Sequence, residues 1–353
     1  MSTIPNVNSW SFMTAVVENI KSPNQFVKRL CFSDHQAVET ETIEIDTVTK
    51  GREIAPFIRK NGEGLMVGGV SEGFSTVEAP NIRLKKPFKP SSVFERRAGS
   101  RIFSSGSSEV MSARERSIMR DLTGIENMIV NAEEWMCCQA LQGTIKYEVA
   151  DGEVFQITYP KANANIITLS TFWNDGTPAN VKLLANLHLV KQVLSDAEGV
   201  APTDAICGTE AAAAFLALVE GGYVKVLDIA GVQAGTVTFA TQFSDDGVIY
   251  LGTVSGIRFW EYGRSASLNG VATPMIRAKY VEFISASAAS DRVLYFGAIP
   301  DEDAFEGGNW VGERFSKSWK EKDPSCTMAL VHARPLPVTR RPNATVSMKV
   351  VSG

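Results

Sequence analysis

The chain has 353 residues, 44% hydrophobic and 21% charged, with a net charge of −4. That length allows two or more packed units with a sizeable core, and the composition is that of an ordinary folded protein rather than a disordered tract. No run of about 18 apolar residues is present to cross a bilayer, and no strongly basic domain announces a nucleic-acid footprint.

The N-terminal stretch MSTIPNVNSWSFMTAVVENIKS lacks a basic region, an apolar core and a small-residue cleavage site in that order, so a cytoplasmic start is expected. Residues 1–40 read as an arm. Its large apolar groups, among them Trp10, Phe12 and Phe26, stand among polar residues and must pack on the body or on another subunit. From Glu41, ETIEIDTVTKG alternates as a half-buried strand with Ile43 and Ile45 facing inward.

Residues 57–80 then change texture. The run KNGEGLMVGGVSEGFSTVEAP is rich in glycine, flanked by Pro56 and Pro80, and holds too few large side chains for a core of its own. It reads as a protruding two-stranded hairpin, and such a hairpin is marginal unless something outside holds it. Arg59, Lys60, Glu63, Leu65, Met66, Val67 and Phe74 are its candidate contacts with a neighbouring subunit. The connector that follows carries Arg83, Lys85, Lys86, Lys89, Arg96, Arg97 and Arg101 against the single acid Glu95. A solvated connector is the bland reading; contact with an acidic neighbour or a phosphate is the functional one.

A long helix is predicted over 112–142. Ser112 and Glu115 form a capping box, an apolar stripe recurs from Ile118 through Leu122, Ile125, Ile129 and Met136 to Ala140, and Gly143 closes it. Gly124 costs about 1 kcal/mol against alanine, so a bend, or a backbone packed close against something, is expected there. Adjacent helical residues do not face each other, so Glu133 and Glu134 read as solvated or subunit-facing. TIKYEV and EVFQIT around Asp151-Gly152 then form a hairpin.

A second unit spans 166–306, where helices alternate with strands in an α/β layer. Its first helix starts at Thr177 and Pro178 and stops before Gly199; DAICG is a buried strand; TEAAAAFLALVEGG is a second helix; VTFATQF, VIYLG, IRFWEY, YVEFIS and RVLYFG are strands. The terminal strands of CTMALVHARPLPVTRRPNATVSMKVV are assigned back to the first unit, beside the long helix.

His35, His188 and His332 form no zinc spacing, and no CxxC joins them. Gly62, Gly64, Gly68 and Gly69 do not follow the dinucleotide spacing, and no helix follows them. The five cysteines, Cys31, Cys137, Cys138, Cys207 and Cys326, are odd in number and unpatterned, as expected of buried thiols. No catalytic, cofactor-binding or metal-binding residue is expected.

Several stretches, in order along the chain, carry a resemblance. These are ETETIEIDTVTKGREIAPF (39–57), FSTVEAPNI (74–82), AEEWMCCQALQG (132–143), FSKSW (315–319) and ARPLPV (333–338). Together they resemble the major capsid proteins of lambda-like tailed phages. The resemblance implies an α+β Hong Kong phage major-capsid fold. Its parts would be an N-terminal arm (1–40), an extended loop (57–80), a peripheral domain (41–56, 81–165 and 307–353) with its spine helix over 112–142, and an axial domain (166–306).

The implied role is self-assembly into hexamers and pentamers of an icosahedral shell around double-stranded DNA, which is held without sequence-specific binding. A separate scaffold protein, a portal and a decoration protein are the implied partners, with no membrane, and the shell would assemble in the bacterial host cytoplasm. Gly124 would be a hinge candidate, and the polar face of the spine helix with Glu126, Asn131 and Glu133 would be left for neighbours or the lumen. A nanocompartment shell with enzyme cargo is the runner-up, and a cytoplasmic α/β enzyme the rival from another class.

Overall fold

The computed structural model describes residues 25–49, 71–88, 107–148, 152–175, 181–221, 247–268, 271–302, 309–323 and 326–352. The chain begins there with α1 (Phe26–Cys31), β1 (Asp34–Ala37), β2 (Thr42–Thr49), β3 (Ser71–Glu78) and β4 (Ile82–Phe88). The long helix α2 (Ser107–Leu141) leads to β5 (Thr144–Glu148), β6 (Val154–Thr158) and β7 (Ile166–Thr168). Next come α3 (Leu183–Glu198), β8 (Asp204–Cys207) and α4 (Thr209–Glu220). Strands β9 (Val248–Val254), β10 (Ile257–Tyr262), β11 (Ser265–Leu268), β12 (Val271–Pro274), β13 (Tyr280–Ile284) and β14 (Arg292–Phe296) follow. The chain closes with β15 (Ile299–Pro300), β16 (Asn309–Trp310), β17 (Phe315–Glu321), β18 (Cys326–Ala333), β19 (Pro335–Thr339) and β20 (Thr345–Lys349).

Helix α2 has 35 residues and is therefore about 50 Å long. It starts five residues before the expected capping box, so Ser112 and Glu115 lie inside it rather than at its N-terminus. Its end is as read: the Gly143 N–H bonds Ala140 O at 3.1 Å, and its φ of +93° suits glycine. Leu122, Ile125 and Ile129 pack on the three-stranded antiparallel sheet β17-β18-β4 through Phe88, Ala329 and Val331. From Glu133 to Cys138 every residue is buried, so this part of the helix has no solvent face. There Trp135, Met136 and Leu141 meet α1, the β5–β6 hairpin and the sheet β1-β14-β19.

The second unit is a six-stranded mixed sheet in the order β7-β20-β13-β8-β10-β9. β8 is buried along its whole length, α3 buries Leu187, Val190 and Leu194, and α4 buries Ala211, Phe215 and Leu218. The aromatic centre is Phe215 stacked on Phe259 at 4.6 Å, with Phe283 edge-on to Phe259. Helix α3 is capped at Lys182 rather than Thr177, and Thr177, Pro178 and the run 236–243 lie outside the described residues.

The unit boundaries need correction at both chain ends. β20, expected beside the long helix, instead pairs β13 antiparallel and β7 parallel inside the six-stranded sheet. Its first four residues are buried, and a strand covered on both faces needs neighbours on both edges. Conversely β14, expected in the second unit, pairs β19 and β1 beside α2. β19 can carry Pro335 and Pro337 because it is a sheet edge, where missing N–H groups break no ladder. Within the stretch read as an arm, α1 packs in the core and β1 pairs β14.

Candidate functional site

Strands β2 and β3 pair over their full length, Thr42 opposite Glu78 through Thr49 opposite Ser71, so the end of the 57–80 stretch forms a hairpin stem with the strand before that stretch rather than within it. Ile43 and Ile45 seat this stem in the core. Of the candidate contact residues here, Phe74 lies on β3 opposite Asp46. Arg59, Lys60, Glu63, Leu65, Met66 and Val67 lie outside the described residues. Beside the stem the β5–β6 hairpin carries Tyr147 stacked on Phe155 at 5.6 Å, and a groove of about 590 Å³ separates the two hairpins.

Strand β4 displays the first part of the basic connector. Arg83, Lys85 and Lys86 are exposed; Lys86 Nζ meets Asp121 of α2 at 2.8 Å, and Arg83 is paired in register with His332. β4 is an edge strand among the described residues, with Arg83 and Lys85 exposed on it. Arg96 and Arg97 lie outside the described residues, as do Trp10 and Phe12.

Phe26 is corrected from a contact with a neighbour to a core residue of its own chain. It is 8% exposed and packs on Trp260 at 5.3 Å and Tyr262 at 6.0 Å. What holds α1 in this position is a cluster of charges on α2. Both oxygens of the Glu134 carboxylate accept backbone N–H groups at the start of α1, from Val27 at 2.8 Å and Lys28 at 2.9 Å, and one also accepts Tyr262 O–H at 2.9 Å. Beside it Lys28 Nζ reaches Glu133 at 2.8 Å, and Arg314 joins Glu133 at 2.7 Å to Glu126 at 2.9 Å.

Glu126, Asn131 and Glu133, read as facing neighbours, are therefore all engaged within the chain; Asn131 Oδ1 accepts Arg264 at 2.6 Å. The glutamates could not stay solvated because the helix around them is enclosed, so each found a cation or donors. Burial pushes the Glu126 carboxyl up, with Arg314 opposing. Burial likewise pushes Glu134 up against its backbone donors. Burial pulls Arg314 down, but Glu133 and Glu126 outweigh it and hold the guanidinium above its ordinary range. Lys28, Glu134, Arg314 and Arg334 are not among the expected site residues; Glu134 and Arg334 lie inside AEEWMCC and ARPLPV and Arg314 directly precedes FSKSW, whereas Lys28 adjoins none of these motifs.

Gly124 is exposed within an uninterrupted helix, and a Cβ built on it meets nothing within 4 Å. Close packing therefore does not explain this glycine.

All five cysteines are free and buried; burial pushes the Cys31 thiol to about 12 and those of Cys137 and Cys138 well above their ordinary range. Among the described residues no three His, Cys, Asp or Glu side chains are placed to hold a metal ion. What the surface offers instead is apolar area for partners: Met128, Phe155, Leu184, Val271 and Trp319 are exposed on different elements.

A family model described as phage major capsid protein E matches residues 9–350. No curated protein matches the chain. Among solved structures the chain is similar to a prophage protein of Escherichia coli CFT073 described as a capsid protein, at TM-score 0.72 and 15% identity over 98% of this chain and 99% of that one. It is also similar to the capsid asymmetric unit of cyanophage A-1(L), at 0.52 and 10% over 95% of each chain. A third similarity is to an encapsulin of Synechococcus elongatus PCC 7942, at 0.50 and 9% over 94% of this chain and 88% of that one. At such identities these likenesses are of fold.

Proposed function

The chain belongs to the phage major capsid protein E family, and from that premise we propose how it builds its shell. It is a structural protein of the virion, not an enzyme, and it forms the icosahedral capsid with copies of itself. Our proposal is that the copies group as hexamers and pentamers, with the α3–α4 layer toward capsomer centres and the β2–β3 hairpin and N-terminal arm laid across neighbours. Double-stranded DNA would fill the shell without sequence-specific contacts, and a scaffold protein, a portal and a decoration protein would be its other partners.

The observation that carries the reading is the family match over residues 9–350, because it spans every unit of the fold in one piece. The charge balance supports it: at −4, the chain lacks the excess of cations that would grip DNA by releasing its counterions. The likeness to an encapsulin extends to fold alone, and family membership favours the phage shell over an enzyme-filled compartment.

Negative-stain microscopy of the expressed chain, with and without a candidate scaffold, is the test. Closed shells are expected. Only monomers or small oligomers under every assembly condition would overturn the reading.

A further inference from the structure

We propose that Arg334 is the positioning residue of the β2–β3 hairpin: its guanidinium, with the seat at Gly297, sets the angle at which the hairpin leaves the body and so its reach to the next subunit. The inference rests on the reading of that hairpin as an assembly element.

Arg334 lies at the corner between β18 and β19, and its side chain is 3% exposed. From there its two terminal nitrogens diverge to the two roots of the stem. Nη1 meets Glu41, just before β2, at 2.8 Å, and Nη2 meets Glu78, the last residue of β3, at 3.2 Å. Nη1 also donates to Ala298 O at 3.1 Å, which ties the fork to the chain beyond β14. The planar fork thus fixes three points at once, a geometry that an ammonium cannot reproduce.

A second observation points to the same joint. Ala298 N–H bonds Thr40 O at 3.1 Å, and Gly297 N–H bonds Arg334 O at 2.9 Å. A Cβ on Gly297 would lie 3.1 Å from Ala79 Cβ and 3.5 Å from Glu41 O, so the root of the stem sits hard against a glycine that leaves it room.

The acids are the solvent side of the joint, with side chains 50% exposed at Glu41 and 72% at Glu78. The guanidinium between them is buried, so removing both acids leaves its charge uncompensated and should lower stability as well as free the root of the hairpin.

The test compares Glu41→Gln/Glu78→Gln, Arg334→Lys and a deletion of residues 53–68, within the sequence that joins β2 to β3. Spin labels on Thr49→Cys and Glu210→Cys report hairpin direction, since the native thiols are buried. In both root variants the distance distribution should broaden when it is recorded well below each variant's own unfolding midpoint. Closed-shell yield should fall about fivefold in the acid double variant, as a small loss repeated at many contacts would give.

A wild-type distribution and yield in both root variants, with the deletion abolishing shells, would overturn the role of Arg334 alone. Normal shells from the deletion would overturn the hairpin's role in assembly and this inference with it.

Discussion

Glu134 stands one residue from Glu133 where α2 is enclosed on every side, and the two carboxylates are satisfied differently. Glu133 meets cations from α1 and from the loop before β17, whereas Glu134 meets backbone N–H groups. An amide at position 134 would keep one acceptor and turn a donor toward a donor. Glu134→Gln should therefore cost about 1–3 kcal/mol in urea unfolding of the unassembled chain. None of this was legible beforehand, because the partners are 105 or more residues away along the chain and an acid doublet alone reads as solvated. His332 gives a second expectation. Burial, with Arg83 and Arg334 adding repulsion, holds its imidazole at about 4 against an ordinary 6.5, and its Nε2 lies 2.5 Å from Asn81 Oδ1. Between those values the unfolded chain binds more protons than the fold, so stability present above 6.5 is lost as pH falls toward 4. His332→Gln should flatten the pH dependence of the unfolding midpoint in that window, and an unchanged slope would assign the acid loss elsewhere.

At the scale of elements, the long helix, its closing glycine, the β5–β6 hairpin and both helices of the six-stranded layer were legible, because periodicity and capping act within a few residues. The start of α2 and the placement of β14 and β20 were not. Those depend on which sheet edge is free when a strand arrives, and sequence spacing does not encode that choice. Gly124 lies between these cases: its cost was readable, but the open space around it was not. Since nothing obstructs a methyl group, Gly124→Ala should stabilise the unassembled chain by about 1 kcal/mol. For a chain of this size that is about 1 °C in the unfolding midpoint by calorimetry. The same variant tests the hinge we propose at this position. If α2 must bend there when shells expand, the stiffer helix should slow expansion as followed by light scattering, and wild-type expansion from a more stable chain would remove the hinge.

For the whole molecule, the argument turns on repetition. A shell subunit shares each of its contacts with a neighbour, so a loss of about 0.5 kcal/mol at each of four contacts removes about 1 kcal/mol per subunit and raises the concentration needed for assembly about fivefold. Weak surface groups that would be invisible in the stability of one chain become decisive in this setting. Arg83 and Lys85 are the groups to examine, because both are exposed on an edge strand and neither has an ion-pair partner among the described residues. In a chain of net charge −4, a neighbour's acidic surface is their natural complement. Charge pairing of this kind is screened, with a Debye length of about 10 Å at 0.1 M salt, so wild-type assembly should need more protein as salt rises. Arg83→Gln/Lys85→Gln should raise the assembly threshold at low salt, flatten its salt dependence and leave monomer unfolding unchanged. Sedimentation of shells across a salt series measures all of this except unfolding, which calorimetry supplies. A double variant with the wild-type threshold and salt slope would place these cations on a surface that no neighbour touches.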